Sequence, residues 1–311
     1  MPIPSDGQAV VLAVVVTYRP DVAATSRLLG SLAAQVQGLV VVDNGSDPDV
    51  RARLAEAVEL VGGALVALPE NLGIGAAQNV GTEHARQAGA THVLFSDQDS
   101  LPAPDMVAQL WAGFERAAAQ GVRTGAVGPL PVDDRDETAT LLFEPRRWGP
   151  RRAPVPDDPS ALVPVAFLLA SGCLVPLEVL DEVGPMRADW FIDHVDLEWG
   201  LRARRAGYAL FGVVGARLGH QLGDRLAKVP GRRREVHIHS PLRNYYMARN
   251  TLLLVRSGLM PVAWRVGYVA WIVKYSAYYV LAVAPRGRRV RELSAGLRDG
   301  VLGRAGRRRS S

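Results

Sequence analysis

Four short apolar runs, each broken off by polar residues, set the pattern of the first hundred positions. Ala9 to Val16 is continuous and rich in β-branched side chains, which is how a strand buried on both faces reads. Thr17-Tyr-Arg-Pro20 ends it, and Asp21 is placed to cap a helix predicted to reach about Val36. The pattern then repeats. Leu39 to Val42 stops at Asp43-Asn-Gly-Ser46, and a helix is expected from about Pro48 to Leu60. Ala64 to Leu68 stops at Pro69-Glu-Asn-Leu-Gly-Ile-Gly75, before a helix to about Gln87. A fourth strand, Thr91 to Ser96, runs into Asp97 and Asp99. Strand and helix alternate, which predicts an α/β fold around a mostly parallel sheet flanked by helices.

In an open sheet of this kind ligands sit at the carboxyl ends of the strands. Those ends carry Thr17 with Arg19, Asp43, Asn71 with Gly73, and the pair Asp97 and Asp99, so all four polar clusters are predicted to face one crevice. Alternate residues of a strand share a face, so the two carboxylates point the same way and repel. A hard divalent cation, Mg²⁺ or Mn²⁺, relieves that repulsion through oxygen ligands. The plainer reading is a solvated turn. Gly73-x-Gly75 opens a helix after a strand but fails as a dinucleotide fingerprint, because Gln78 stands three residues on and the glycines follow the third strand instead of the first. A phosphate-binding Gly-Lys-Ser/Thr loop is absent from the sequence.

Val14-Val-Val-Thr-Tyr18, Val41-Val-Asp-Asn-Gly-Ser46, Asn71-Leu-Gly-Ile-Gly-Ala-Ala-Gln-Asn-Val-Gly81 and Phe95-Ser-Asp-Gln-Asp-Ser100 resemble the motifs of family 2 glycosyltransferases, specifically bacterial rhamnosyltransferases. The resemblance runs from about Val11 to Asn250. It implies a nucleotide-sugar-binding domain of the Rossmann-like GT-A fold. In that reading Asp43 contacts the pyrimidine base, and Thr17, Tyr18, Arg19, Asn71, Gly73, Asn79, Asp97 and Gln98 line the donor site. Asp97 and Asp99 hold the metal on the donor diphosphate, and His220 completes its ligand set.

The second half must supply an acceptor site and a base. Phe191-Ile-Asp-His-Val-Asp-Leu-Glu-Trp199 carries three acids, with a helix expected from Asp196 to Arg205. Acids in a first helical turn also follow from the helix dipole alone. Matched to the family, Asp196 is the catalytic base and Glu198 the acid two residues later. Val195 departs from the pattern, which has an acid immediately before the base, so Asp193 stays open as the alternative. The small-residue turn at Ser171 and Gly172 permits close backbone approach to a ligand, and Asp189, Trp190 and Trp199 are candidates for the acceptor side. Asp189 reads equally as a turn residue, and Cys173 as a small buried hydrophobe. Arg243, Tyr245, Tyr246 and Arg249 resemble the family's diphosphate-binding stretch; ordinary surface arginines on a helix are the alternative.

At 311 residues, 48% hydrophobic and 22% charged, the chain is an ordinary globular composition with one large core or two modest ones. A single cysteine excludes an internal disulfide framework and a cysteine zinc cluster. Met1-Pro-Ile-Pro-Ser-Asp6 lacks the layout of a signal peptide, so a cytoplasmic catalytic part is expected. The net charge of +5 is uneven: Pro285 to Ser311 carries nine arginines against Glu292 and Asp299, or +7, leaving −2 elsewhere. Such a tail suits an anionic surface or is simply solvated. Before it, Thr251 to Pro285 is apolar and aromatic, but Arg256, Arg265 and Lys274 recur every nine residues. That spacing argues for interfacial helices over a spanning one; a packed helical subdomain and a single pass are the alternatives. The expected division is therefore 1–250, a catalytic domain with a nucleotide-sugar half to about 125 and an acceptor half beyond, and 251–311, a membrane-associating region.

With the resemblance, these features imply an inverting, Mg²⁺- or Mn²⁺-dependent transfer of L-rhamnose from a dTDP-sugar donor to a lipid-linked saccharide acceptor. The expected place is the cytoplasmic face of a bacterial plasma membrane, against anionic lipid and without nucleic acid. A galactofuranosyl or other hexosyl donor is the alternative within the class, and a non-catalytic nucleotide-binding scaffold outside it.

Overall fold

The computed structural model describes residues 9–132, 141–220, 225–227 and 236–308. Strands β1 (Val11–Thr17), β2 (Gly38–Asp43), β3 (Ala64–Ala67) and β4 (His92–Asp97) alternate with helices α1 (Val22–Ala33), α2 (Pro48–Leu60) and α3 (Ile74–Gln87). β5 (Ser100–Pro102), α4 (Met106–Ala119) and β6 (Thr124–Val132) follow. Next come the hairpin β7 (Phe143–Arg146) and β8 (Gly149–Arg152), then β9 (Leu162–Pro164), β10 (Leu174–Pro176), α5 (Leu177–Val183), α6 (Val195–Arg205) and β11 (Ala209–His220). A small pair, β12 (Arg225–Ala227) and β13 (Val236–Ile238), precedes α7 (Pro241–Arg256), α8 (Val262–Ala282) and α9 (Arg286–Val301).

The nine-stranded sheet runs β3-β2-β1-β4-β10-β6-β11-β5, with β9 also on β11. The fold is α/β with a mixed, mostly parallel sheet: β10, β5 and β9 run against the rest. Alternation along β1 divides the interior in two. Leu12, Val14 and Val16 enter the core on one face, and Val11, Ala13 and Val15 the core on the other. The register brings Thr17 opposite Asp43 and Val16 opposite Asp97, so the polar strand ends lie level along one edge.

α1 ends at Ala33, short of the predicted Val36. Gln37 instead exchanges bonds with Val11, its Oε1 accepting the Val11 N–H at 2.8 Å and its own N–H reaching the Val11 carbonyl at 3.0 Å, which turns the chain into β2. The expected division at residue 250 falls inside α7. Leu254, Met260 and Trp264 join the main core, so the last helices pack onto the α/β body.

The aromatic stripe of α8 is turned largely inward. Trp264 is buried and donates to the Arg146 carbonyl at 2.7 Å, and the buried Tyr279 accepts from the His239 N–H at 3.0 Å. Among the described residues no helix is long and apolar enough to cross a membrane. Val262, Val266, Val269, Trp271, Val273 and Leu281 stay exposed.

The basic end of the chain is not a detached tail. α9 lies on α7 and buries Arg289 and Leu293; Arg289 donates to the His239 carbonyl at 2.9 Å and to Asn244 Oδ1 at 2.5 Å. Beyond it the backbone folds back as a strap. The Gly306 N–H bonds the Asp189 carbonyl at 2.6 Å, the Arg308 N–H bonds the Tyr246 hydroxyl at 2.8 Å, and Arg307 pairs with Glu70.

Candidate active site

β4 delivers Asp97 to the rim of a cavity of about 900 Å³ whose polar end also carries Ser171, Asp193, Asp196 and Arg243. α3 contributes Ile74 and Gln78 to its wall, and the β7–β8 hairpin and α8 form the far side with Trp148, Tyr268 and Trp271. The Ser171 hydroxyl lies 3.4 Å from the Asp97 N–H and 2.6 Å from the Ser100 hydroxyl, fixing the turn after β4. Gly172 beside it has φ +79°, and a Cβ there would stand 2.5 Å from Pro129 Cγ. That position demands glycine.

Burial, then the neighbouring Asp99 carboxylate, pushes Asp97 up to about 6, while Arg243 opposes the shift. Asp196, in the first turn of α6, is also pushed up to about 6, chiefly by burial and further by Asp97 and Asp193. The Leu197 N–H, at 2.8 Å from Asp196 Oδ1, pulls the other way. Two carboxyls bordering one cavity, each raised by burial and by a neighbouring carboxylate, mark a place short of positive charge. Asp97 and Asp99 are hard oxygen donors, so this donor set suits Mg²⁺ or Mn²⁺ with phosphate and water completing the shell. Among the described residues no group of three or more His, Cys, Asp or Glu side chains stands together as a metal site. His220 closes β11 opposite Ser100, but its side chain lies outside the described residues.

The loop between Trp190 and α6 is held in an unusual shape. Phe191, Asp193 and His194 all have φ between +62° and +68°, a region that costs non-glycine residues about 1 to 3 kcal/mol each. Asn250 holds it: its Nδ2 lies within 2.8 to 3.0 Å of the Trp190, Ile192 and Asp193 carbonyls. The donor side locks onto the same loop. Gly73 has φ +91° and leaves no room for a Cβ against Phe191, and the Ile74 N–H bonds the Phe191 carbonyl at 2.7 Å. Asp193 accepts from Arg243 Nε at 3.0 Å, while its other oxygen is buried without a partner among the described residues.

At the neighbouring strand ends, Gln98 ties the turns together, its Oε1 accepting the Tyr18 N–H at 2.7 Å. Thr17 is buried at the end of β1, and the Arg19 N–H bonds the Ser46 hydroxyl at 2.8 Å. Asp43 is fully buried and accepts from Arg51 Nε at 3.0 Å and from the Ser46 N–H. Asn71 Oδ1 accepts from the Gly73 N–H at 2.9 Å and from Asn44. These residues gather along the crevice edge beside the cavity.

Several expected site residues are placed otherwise. Asn79 exchanges two 2.9 Å bonds with the backbone of Met186 and so staples α3 to the second half. Glu198 is buried in a two-bond pair with Arg202 Nε, both 3.0 Å, and the buried Trp199 donates to the Gly184 carbonyl at 3.1 Å. Trp190 is in the core, and Asp189 pairs with Arg187 at 3.1 Å; neither borders the cavity. Of the diphosphate-binding stretch, only Arg243 reaches it. Tyr245 donates to Asp299 at 2.9 Å, Tyr246 stacks on Phe191 with centroids 4.9 Å apart, and the buried Arg249 holds the Trp190 and Gly306 carbonyls. Cys173 is buried and burial raises its thiol, as a small hydrophobe requires. His194, Thr251, Asn250, Arg51 and the α8 aromatics escaped sequence reasoning; the one available signal was the run of aromatics spaced three and four apart.

The model of the family described as "Glycosyl transferase family 2" matches residues 13–168. The chain is 31% identical over 252 residues to the dTDP-rhamnosyl transferase RfbF of Shigella flexneri, covering 81% of this chain and 82% of that one. It is 28% identical over 319 residues to the galactofuranosyltransferase GlfT1 of Mycolicibacterium smegmatis, covering 96% and 97%. Among solved structures, GalNAc-T7 with UDP, GalNAc and Mn²⁺ superposes with a TM-score of 0.61 at 15% identity, over 96% of this chain and 56% of that one. The fold is therefore GT-A. Strand ends that carry an acidic pair, a further carboxyl in the cavity that Asp97 borders and a family match over residues 13–168 lead to one conclusion: this chain belongs to glycosyl transferase family 2 and is a glycosyltransferase.

Proposed function

We propose that the protein transfers L-rhamnose from dTDP-L-rhamnose to a saccharide acceptor with inversion at the anomeric carbon. The observation that carries this reading is the Asp196 carboxyl, raised to about 6 in the cavity it shares with Asp97. A carboxylate with that basicity is matched to a general base working near neutral pH. Asp196 takes the proton of the acceptor hydroxyl as its oxygen forms the bond to the anomeric carbon. The bond from that carbon to the diphosphate breaks, and its electron pair leaves with dTDP. Asp97 and Asp99 would hold the divalent cation, which supplies neutralisation of the leaving diphosphate when bound. Arg243 at the same rim adds a fixed positive charge beside the diphosphate. GalNAc-T7 is seen with Mn²⁺ and UDP, which supports metal use.

The rhamnosyl donor rests on the 31% identity to RfbF. A galactofuranosyl donor is the second reading, favoured by the likeness to GlfT1 along 96% of the chain. The acceptor is taken to be lipid-linked and presented at the cytoplasmic membrane face. Support comes from the exposed apolar side chains of α8, Val262, Val269 and Val273, and from the exposed arginines of α9. The test is product formation from dTDP-L-rhamnose, UDP-galactofuranose and other nucleotide sugars, each with Mn²⁺ and with chelator. Transfer from dTDP-L-rhamnose alone supports the reading, and preference for UDP-galactofuranose replaces it.

A further inference from the structure

His194 sits between Asp193 and Asp196, and its ring lines the cavity they share. Its φ of +62° is a conformation that asparagine, aspartate and histidine adopt more readily than other side chains, so the backbone alone does not require an imidazole. The ring has a defined setting. Nε2 lies 2.9 Å from the Thr251 hydroxyl, and that hydroxyl donates its own proton to the Met247 carbonyl at 2.7 Å. Thr251 has one proton to give, so Nε2 must carry hydrogen and Nδ1 is left as a bare acceptor. Nδ1 has no partner among the described residues. Burial lowers the imidazole to about 4, which keeps this tautomer neutral through the working pH range.

The surroundings indicate what would meet that nitrogen. Tyr268 and Trp271 stand edge-on to the ring with centroids 6.2 Å away, and Trp271 remains 40% exposed. An aromatic wall with one fixed acceptor suits a ligand that is apolar on one face and carries hydroxyls at its rim. A sugar ring is such a ligand, and Asp196 stands two residues away to receive the proton of its reacting hydroxyl.

We propose that His194 is an acceptor-reading residue, whose Nδ1 accepts a hydrogen bond from a hydroxyl of the acceptor sugar lying against Trp271. This rests on the transfer reaction proposed above. It gives α8 a place in acceptor recognition separate from any contact with lipid, and it gives Thr251 a positioning role through the tautomer it enforces.

The test uses the full chain with octyl glycosides of rhamnose, galactose and N-acetylglucosamine as acceptor probes. His194→Phe keeps a ring and removes the nitrogen, and is expected to raise the acceptor KM about tenfold or more. His194→Asn tolerates the positive φ and returns an acceptor oxygen near Nδ1, so its KM stays within about threefold of the unaltered protein's, well short of the change from losing one hydrogen bond. Thr251→Val releases the tautomer and falls between them. Hydrolysis of the donor in water needs no acceptor, so the ratio of transfer to hydrolysis at a fixed acceptor concentration keeps the donor reaction and the acceptor contact apart: it falls in His194→Phe and recovers in His194→Asn, whatever strain does to both rates. In ¹⁵N-labelled protein the Nδ1 resonance, assigned by its loss in His194→Asn, shifts toward the hydrogen-bonded position when a transferred glycoside is added. An unchanged acceptor KM in His194→Phe, a matching fall in donor hydrolysis, or an Nδ1 signal indifferent to a transferred glycoside overturns the proposal.

Discussion

Asp196→Asn separates stability from function. Raising this carboxyl from 3.8 to about 6 means that the fold favours its neutral form. At about 1.4 kcal/mol per pKa unit, that preference amounts to about 3 kcal/mol. The direction follows from linkage. Below pH 3.8 the group is neutral in both folded and unfolded chains and costs nothing; as pH rises through about 6 the folded protein must carry a buried charge and stability is lost. Asparagine keeps the size and the acceptor for the Leu197 N–H while removing the charge. Some of the cost is repulsion shared with Asp97, so the gain at pH 7.5 is about 1 to 3 kcal/mol, or a melting rise of about 2 to 5 °C for a chain of this length. Turnover falls by about 10²- to 10⁴-fold with donor affinity nearly unchanged. Thermal unfolding of both proteins at pH 5 and 7.5 without divalent metal, together with initial rates of transfer, reads both effects. A variant less stable than the unaltered protein at pH 7.5, or one that keeps its turnover, refutes the reasoning.

Asp193→Asn should cost far less turnover than Asp196→Asn and chiefly raise the donor KM, because its carboxylate holds Arg243; if Asp193→Asn is inactive while Asp196→Asn works, Asp193 is the base. Asn250→Ala removes the donor that holds three carbonyls of the 190–193 loop, so a loss of about 2 to 3 kcal/mol is expected by denaturant titration, with turnover falling more than donor binding. Charge reversal of the exposed Arg286, Arg288 and Arg291 of α9 to glutamate should weaken partition onto anionic vesicles by about 1 kcal/mol for each original arginine. Unchanged flotation with the vesicles would remove α9 from any membrane contact.

The donor half was legible because its signals are local. An apolar run ending in Asp43 or Asp97 states both the strand and the level at which it stops, and parallel register then brings those ends together. Asn79, Glu198 and Trp199 have site-like chemistry but are engaged with partners fixed by tertiary packing, Met186, Arg202 and Gly184. Tyr245 and Tyr246 are engaged away from the cavity for a related reason. Their partners, Asp299 and Arg308, lie more than fifty residues on, in a stretch whose composition alone suggested a solvated tail. His194 left no trace, since neither its positive φ nor the proton on Thr251 is encoded in a spacing. The roof of the cavity was half legible: the aromatic stretch before Pro285 suggested interfacial helices, with a packed helical subdomain as the alternative, and nothing in it named the β7–β8 hairpin that α8 meets.

The most direct measurement of the central claim is a thermal-shift titration of the full chain with dTDP-L-rhamnose, UDP- and GDP-sugars, each with Mn²⁺ and with chelator, repeated on Asp99→Ala. A ligand at about a hundred times its Kd stabilises the folded state by about 2.7 kcal/mol. The account predicts a clear rise in melting temperature for dTDP-L-rhamnose with Mn²⁺, its loss in chelator, and its loss in Asp99→Ala, whose own melting temperature stays near that of the unaltered protein. A shift that persists undiminished in chelator and in Asp99→Ala, or no shift with any nucleotide sugar, contradicts it.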